Sequence, residues 1–158
     1  MKKVLAWALV LLCLLGCTAE TAEPAVDLPE NGHTGDADWG LTLSVEDVTP
    51  TGLTLVMTQK GGTPPEGITY GYFFWLEAWE DGRWQDVPQL PEAEEVAWTE
   101  PAFTLPLGTS TDEAFNWDWR YGELPPGTYR ICRDFSGDGS PSPLATETYW
   151  AVFALPAK

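Results

Sequence analysis

Short runs of alternating apolar and polar residues, each closed by proline or glycine, restrict this chain to an antiparallel β architecture. Leu41, Leu43 and Val45 alternate with Thr42, Ser44 and Glu46, and Thr49-Pro50-Thr51-Gly52 turns the chain into Leu53 to Thr58. A period of two sends successive side chains to opposite faces, so each run has one face to bury. Gly61 to Gly67 is rich in helix breakers, and Tyr70 to Trp79 predicts one long aromatic strand. Asp81-Gly82 then predicts a tight hairpin into Trp84 to Val87, because these residues tolerate the positive φ of such turns. Val96 to Leu107, interrupted by Pro101 and Pro106, predicts one or two short edge strands. Phe115, Trp117, Trp119 and Tyr121 alternate with polar residues, which predicts four rings on one strand face. Thr128 to Cys132 reads as a strand, Asp134 to Pro143 as a turn region and Thr148 to Leu155 as a final strand. No segment sustains a helical period, and no internal repeat is visible. The expected fold is all-β, an antiparallel sandwich of about seven strands, since a parallel sheet would need crossover helices.

The front of the chain has another composition. Met1-Lys2-Lys3 is basic, Val4 to Leu15 is apolar but short for a spanning helix, and Leu14-Leu15-Gly16-Cys17 closes the run. This arrangement resembles the bacterial lipobox. The resemblance implies a signal peptide over residues 1–16, cleavage between Gly16 and Cys17, and diacylglycerol on Cys17 as the first mature residue. Two or more acyl chains, at about 0.8 kcal/mol per buried methylene, suffice for stable anchoring. The expected location is a cell membrane, with the folded part held outside the cytoplasm on its extracellular or periplasmic side. Residues 17–38 then form the lipidated cysteine and a flexible acidic tether, with His33 as solvated linker, and 39–156 form the domain.

Of the eight basic side chains, Lys2 and Lys3 would leave with the leader; six remain against 24 acidic ones, a net charge of −18. Such a chain is a poor candidate for nucleic acid, whose phosphates require neutralisation by Lys and Arg. It is also repelled by anionic headgroups, which leaves acyl chains as the membrane contact. Cations, cationic polymers and uncharged glycans stay compatible with the charge, as does a merely solubilising surface. Disorder is not expected, because eight of the nine tryptophans follow the leader and supply a core. Only Cys17 and Cys132 survive processing, so with Cys17 lipidated no intramolecular disulfide is available and Cys132 reads as a small buried hydrophobe.

Leu124-Pro125-Pro126-Gly127-Thr128-Tyr129-Arg130-Ile131 resembles the tyrosine corner of immunoglobulin-like sandwiches, with Tyr129 as the tyrosine. Ile131 falls where antibody domains place a disulfide cysteine; Cys132 is one position later and faces the other way, as suits a sandwich without the inter-sheet disulfide. Together with Val48 to Val56, Glu80-Asp81-Gly82-Arg83-Trp84 with Val87-Pro88, and Trp117 to Glu123, this stretch is similar to a bacterial immunoglobulin-like domain family found in small envelope lipoproteins. The resemblance spans about Trp39 to Leu155. It implies a fold and an envelope location, and carries no catalytic residues.

Three candidate chemistries follow. Asp134, Ser136 and Asp138, with Gly139 sixth in the run, resemble the opening of a calcium loop; Ala145 stands where the bidentate glutamate is needed, so a glycine-rich turn is expected and no metal is assigned. Trp75, Trp79 and Trp84 belong to a hairpin with rings on both faces, which either lies under a covering layer or exposes an aromatic platform for a glycan or a partner protein. No enzyme is expected: His33 is the sole histidine, Cys132 has no evident base, and abundant carboxylates are not a catalytic constellation. No cofactor is called for. The expected function is an accessory module of the envelope that binds a protein or glycan; the alternative is a cation or cationic-polymer binder, with a hydrolase a distant third.

Overall fold

The computed structural model describes residues 29–93, 101–138 and 145–157. Residues 1–28, on which the expected signal peptide, the expected cleavage at Gly16 and Cys17 and part of the expected tether fall, lie outside the described residues. The strands are β1 (Gly32–His33), β2 (Leu41–Thr49), β3 (Gly52–Gln59), β4 (Gly67–Tyr70), β5 (Trp75–Glu80), β6 (Arg83–Asp86), β7 (Phe103–Leu105), β8 (Ser110–Asn116), β9 (Gly127–Asp138) and β10 (Ala145–Leu155). A three-stranded sheet has the order β2-β3-β8; the other sheet has seven strands, with β1-β10-β9-β4-β7 along one path and β5-β6 also on β9. All pairings are antiparallel. The two inner faces meet in one core that includes Leu41, Leu55, Met57, Ile68, Leu76, Ile131, Ala151 and Phe153. This is an immunoglobulin-like β-sandwich, as the punctuated alternation predicts.

Local chemistry sets the turns. Thr49 pairs with Gly52 across the β2–β3 connection, and the register shifts between Glu46 and Thr49, where Asp47 has φ 49°. Asp81 and Gly82, at φ 50° and 76°, close β5 onto β6 in the expected tight turn. Tyr129 completes a tyrosine corner, its hydroxyl donating to the Pro125 carbonyl at 2.8 Å. Its ring stacks on Phe153 at 5.7 Å.

Four expectations are corrected. The aromatic segment is two strands: Tyr70 lies opposite Phe135 and Trp75 opposite Cys132, so residues 71–74 bridge a gap that only Arg133 and Asp134 span on β9. The extra length turns the Gly71 carbonyl toward the Arg133 guanidinium and the Phe74 ring edge-on to Phe115 at 4.8 Å. The four rings of Phe115 to Tyr121 do not share a strand face, because β8 stops at Asn116 and Asp118–Tyr121 forms a helical turn, α1. Helical spacing buries Trp117, Arg120 and Tyr121 and leaves Trp119 exposed.

His33 is not solvated linker. It pairs with Tyr149 in β1, stacks on that ring at 4.8 Å and contacts Glu147 through Nδ1 at 3.2 Å. Ordered structure therefore begins upstream of the boundary expected at Trp39. Finally, Asp134 and Ser136 lie in extended β9, which runs to Asp138, so the expected turn does not begin at Asp134 and the first part of the calcium-loop reading falls on a ladder in which Asp134 faces Thr148 and Ser136 faces Thr146; residues 139–144 of that region lie outside the described residues.

Arg133 joins the two layers. It is fully buried in β9 and its Nη1 donates to Glu113 Oε2 of β8 at 2.7 Å. The rings of Tyr70 and Phe115 lie 4.4 and 5.2 Å from its guanidinium carbon. A buried guanidinium is tolerated only when charge and donors are both matched, and Glu113, the Gly71 carbonyl and these two rings supply that match.

Candidate aromatic binding face

The outer face of the seven-stranded sheet is built by register. Leu76 lies opposite Ile131, itself opposite Ala151, and these face the core; their neighbours Trp75, Cys132 and Trp150 therefore align on the outside. One step along, Glu77 faces Arg130, and beyond it Trp79 pairs with Trp84. Arg130 is held between two indoles, its guanidinium carbon 4.7 Å from the ring of Trp84 and 4.6 Å from that of Trp150. Its Nε donates to Glu77 Oε2 at 2.6 Å, and Trp75 Nε1 donates to Glu77 Oε1 at 3.1 Å. Both carboxylate oxygens are thus engaged, so Glu77 orients Trp75 and Arg130 together. Trp150 in turn donates to the Glu30 carbonyl at 3.1 Å. Gly32 is required beneath it, since a Cβ there would come within 2.7 Å of the Trp150 ring.

The sequence candidates Trp75, Trp79 and Trp84 meet here in unequal roles. Trp75 and Trp84 are partly covered; Trp79 is 40% exposed near the hairpin end and meets Trp84 edge-on at 5.0 Å. Trp150, Arg130 and Glu77 are the members that sequence reasoning missed. Alternation in β10 gave a signal for Trp150, but only the pairing of β5 with β9 brings Arg130 and Glu77 together.

Cys132 lies under this array, between Trp75 and Trp150 in the ladder, and is buried although it points away from the core. It is free of any disulfide, and burial, reinforced by Glu77, pushes its thiol up to about 12.

Beyond Trp75 the face continues into a cavity of about 320 Å³ lined by Thr69, Phe73, Asp134, Ser136 and Thr146 among others. Phe73 links the two parts, 5.9 Å from Trp75 between ring centroids. Asp134 Oδ1 accepts from Thr148 Oγ1 at 2.6 Å, and Ser136 and Thr146 hydroxyls lie 3.2 Å apart. These are hydrogen-bonding groups beside rings, suited to stacking and polar recognition. Among the described residues no group of three or more His, Cys, Asp or Glu could hold a metal ion.

A sandwich without a disulfide, closed by a tyrosine corner, narrows the relationship, and a family model described as a bacterial Ig-like domain matches residues 37–151. The chain belongs to the bacterial Ig-like domain family. No curated protein and no solved structure matches it. Bacterial Ig-like domains are accessory or binding modules and typically non-catalytic. In this Ig-like domain the seven-stranded sheet carries the aromatic face, whereas the outer face of the three-stranded sheet is made largely of small polar residues, Thr42, Ser44, Thr54, Thr58 and Ser110 among them.

Proposed function

We propose that this Ig-like domain is a lipid-anchored, extracytoplasmic accessory module of the bacterial envelope that binds an envelope protein or glycan through the outer face of its seven-stranded sheet. The observation that carries the reading is the exposure of Trp79 at one end of a row of rings whose other end opens into a cavity lined by both rings and hydroxyl or carboxylate groups. Indole faces stack on sugar rings and on side chains alike, and a rigid ring already held by neighbours loses little conformational entropy on binding. Lipidation at Cys17 supplies the anchor, and the acidic surface keeps the domain off anionic headgroups.

A crosslinking pull-down from intact cells tests this, with Cys17→Ala as the unanchored control and Trp79→Ala as the face control. Recovery of a partner that both changes abolish supports the reading. A partner retained by Trp79→Ala refutes the aromatic face as the contact. The acidic-surface reading predicts instead an association that weakens steeply with salt.

A further inference from the structure

We propose, building on the binding role proposed for this face, that the cavity at the Phe73 end of the aromatic row is a subsite for one sugar unit, and that the ligand is an uncharged glycan.

Strand register lines up the polar groups. Thr146 of β10 lies opposite Ser136 of β9, which lies opposite Thr69 of β4, and all three line the cavity together with Asp134. Their chain neighbours Ile68, Phe135 and Gly137 are buried, so alternation turns the hydroxyls outward. Their hydrogen-bonding capacity is only partly used. Ser136 and Thr146 share one hydrogen bond at 3.2 Å, which leaves one of the two hydroxyl protons to donate. Thr69 Oγ1 donates to the Ser136 carbonyl at 3.3 Å and keeps its lone pairs. Asp134 Oδ1 accepts from Thr148, and among the described residues no group pairs with Oδ2. A donor and several acceptors thus stand side by side, which suits sugar hydroxyls, each of them both donor and acceptor.

Charge narrows the class. Among the described residues that line the cavity, Asp134 is the only charged one, and it disfavours a carboxylated or phosphorylated ligand. Phe73 and Tyr70 are the aromatic residues of the lining. A buried guanidinium already lies against each ring, Arg120 at 5.2 Å from that of Phe73 and Arg133 at 4.4 Å from that of Tyr70. A cationic ligand would therefore meet rings whose attraction for positive charge is already engaged. An uncharged polyhydroxylated ring escapes both penalties and packs on the aromatic wall by dispersion. At about 320 Å³ the cavity is at the small end of the range for ligand sites, about 300–1,000 Å³.

The adjoining rings extend the site. Two residues along β9 from Asp134, about 7 Å, Cys132 lies between Trp75 and Trp150 in the ladder. A glycan with one unit in the cavity lays the next against Trp75, whose indole is already fixed by its bond to Glu77.

Calorimetric titration of the full chain, in a detergent without a sugar headgroup, tests the proposal. The probes are neutral hexamers of glucose, mannose and N-acetylglucosamine, with hexamers of galacturonate and glucosamine as the charged counterparts. At least one neutral hexamer should bind about tenfold tighter than either charged one, with a Kd constant within about twofold between low and high salt. Asp134→Ala should weaken it about tenfold and Thr146→Val about fivefold, whereas Ser44→Ala on the other sheet should not. All three positions are exposed, so the variants keep the fold. No binding of any neutral hexamer, equal binding of a charged one, or neutral binding that Asp134→Ala leaves unchanged each overturns the proposal. The aromatic-face reading fails separately: a partner captured from cells and lost with Trp79→Ala sustains that reading even where no saccharide binds.

Discussion

Replacing Glu113 by Gln keeps the shape and one acceptor oxygen of the side chain but removes the only charge that, among the described residues, pairs with the buried Arg133 guanidinium. Arg133 keeps the Gly71 carbonyl, the Met57 sulfur at 3.8 Å from Nη1, and the rings of Tyr70 and Phe115. None of these carries a negative charge. Breaking a fully buried pair from one side costs about 3–5 kcal/mol. Here the Glu113 side chain is 25% exposed while that of Arg133 is fully buried, so water reaches the pair from one side only. A loss of about 2–3 kcal/mol is expected, which for a domain of this size lowers Tm by about 8–12 °C at some 4 °C per kcal/mol. Urea unfolding followed by tryptophan fluorescence should show a lower midpoint with unchanged slope. Arg133→Met alone should also destabilise, because it orphans the Gly71 carbonyl, but adding it to Glu113→Gln should cost less by at least about 1 kcal/mol than adding it to the native chain. Effects that add within about 0.5 kcal/mol would show that the two groups do not act as a pair.

Tyr129→Phe removes the corner hydroxyl but keeps the stack on Phe153; a loss of about 1 kcal/mol is expected, against about 3–5 kcal/mol for Tyr129→Ala, and equal losses in thermal unfolding would deny the hydroxyl any distinct role. Cys132 should be inert to a thiol reagent at pH 8 until the protein is unfolded by urea; rapid reaction of the native state would contradict its burial. Its folded thiol is raised from about 9 to about 12, so the unfolded chain releases its proton first and stability falls as pH rises above about 9. Cys132→Ala should therefore flatten the alkaline decline by up to about 1.4 kcal/mol per pH unit, measured as urea midpoints at pH 8 and pH 10.

Much of the sandwich was legible because its determinants are local. The period-two runs of β2 and β3, the Asp81-Gly82 turn and the proline-rich entry to Tyr129 each encode backbone geometry within a few residues. Where reading failed, a distant group had decided the outcome. Tyr70 to Trp79 alternates well enough for one strand, yet it breaks because Arg133 on β9 draws in the Gly71 carbonyl. Phe115 to Tyr121 satisfies both periods over so short a span; a Trp117 pocket, with its indole nitrogen donating to the Pro50 carbonyl at 3.0 Å, favours the helical turn. His33 looked like linker because its partners, Glu147 and Tyr149, are more than a hundred residues away.

The same division holds for the aromatic face. Sequence alone determined that the chain is acidic, rich in tryptophan and cut into short strands, since composition and spacing are properties of neighbours along the chain. Tertiary structure decided which rings share a surface. Strand pairing set Arg130 between Trp84 and Trp150, buried Cys132 beneath the array and left Trp79 open. Register between strands far apart in sequence is fixed by the packing of whole faces, and no local pattern encodes it.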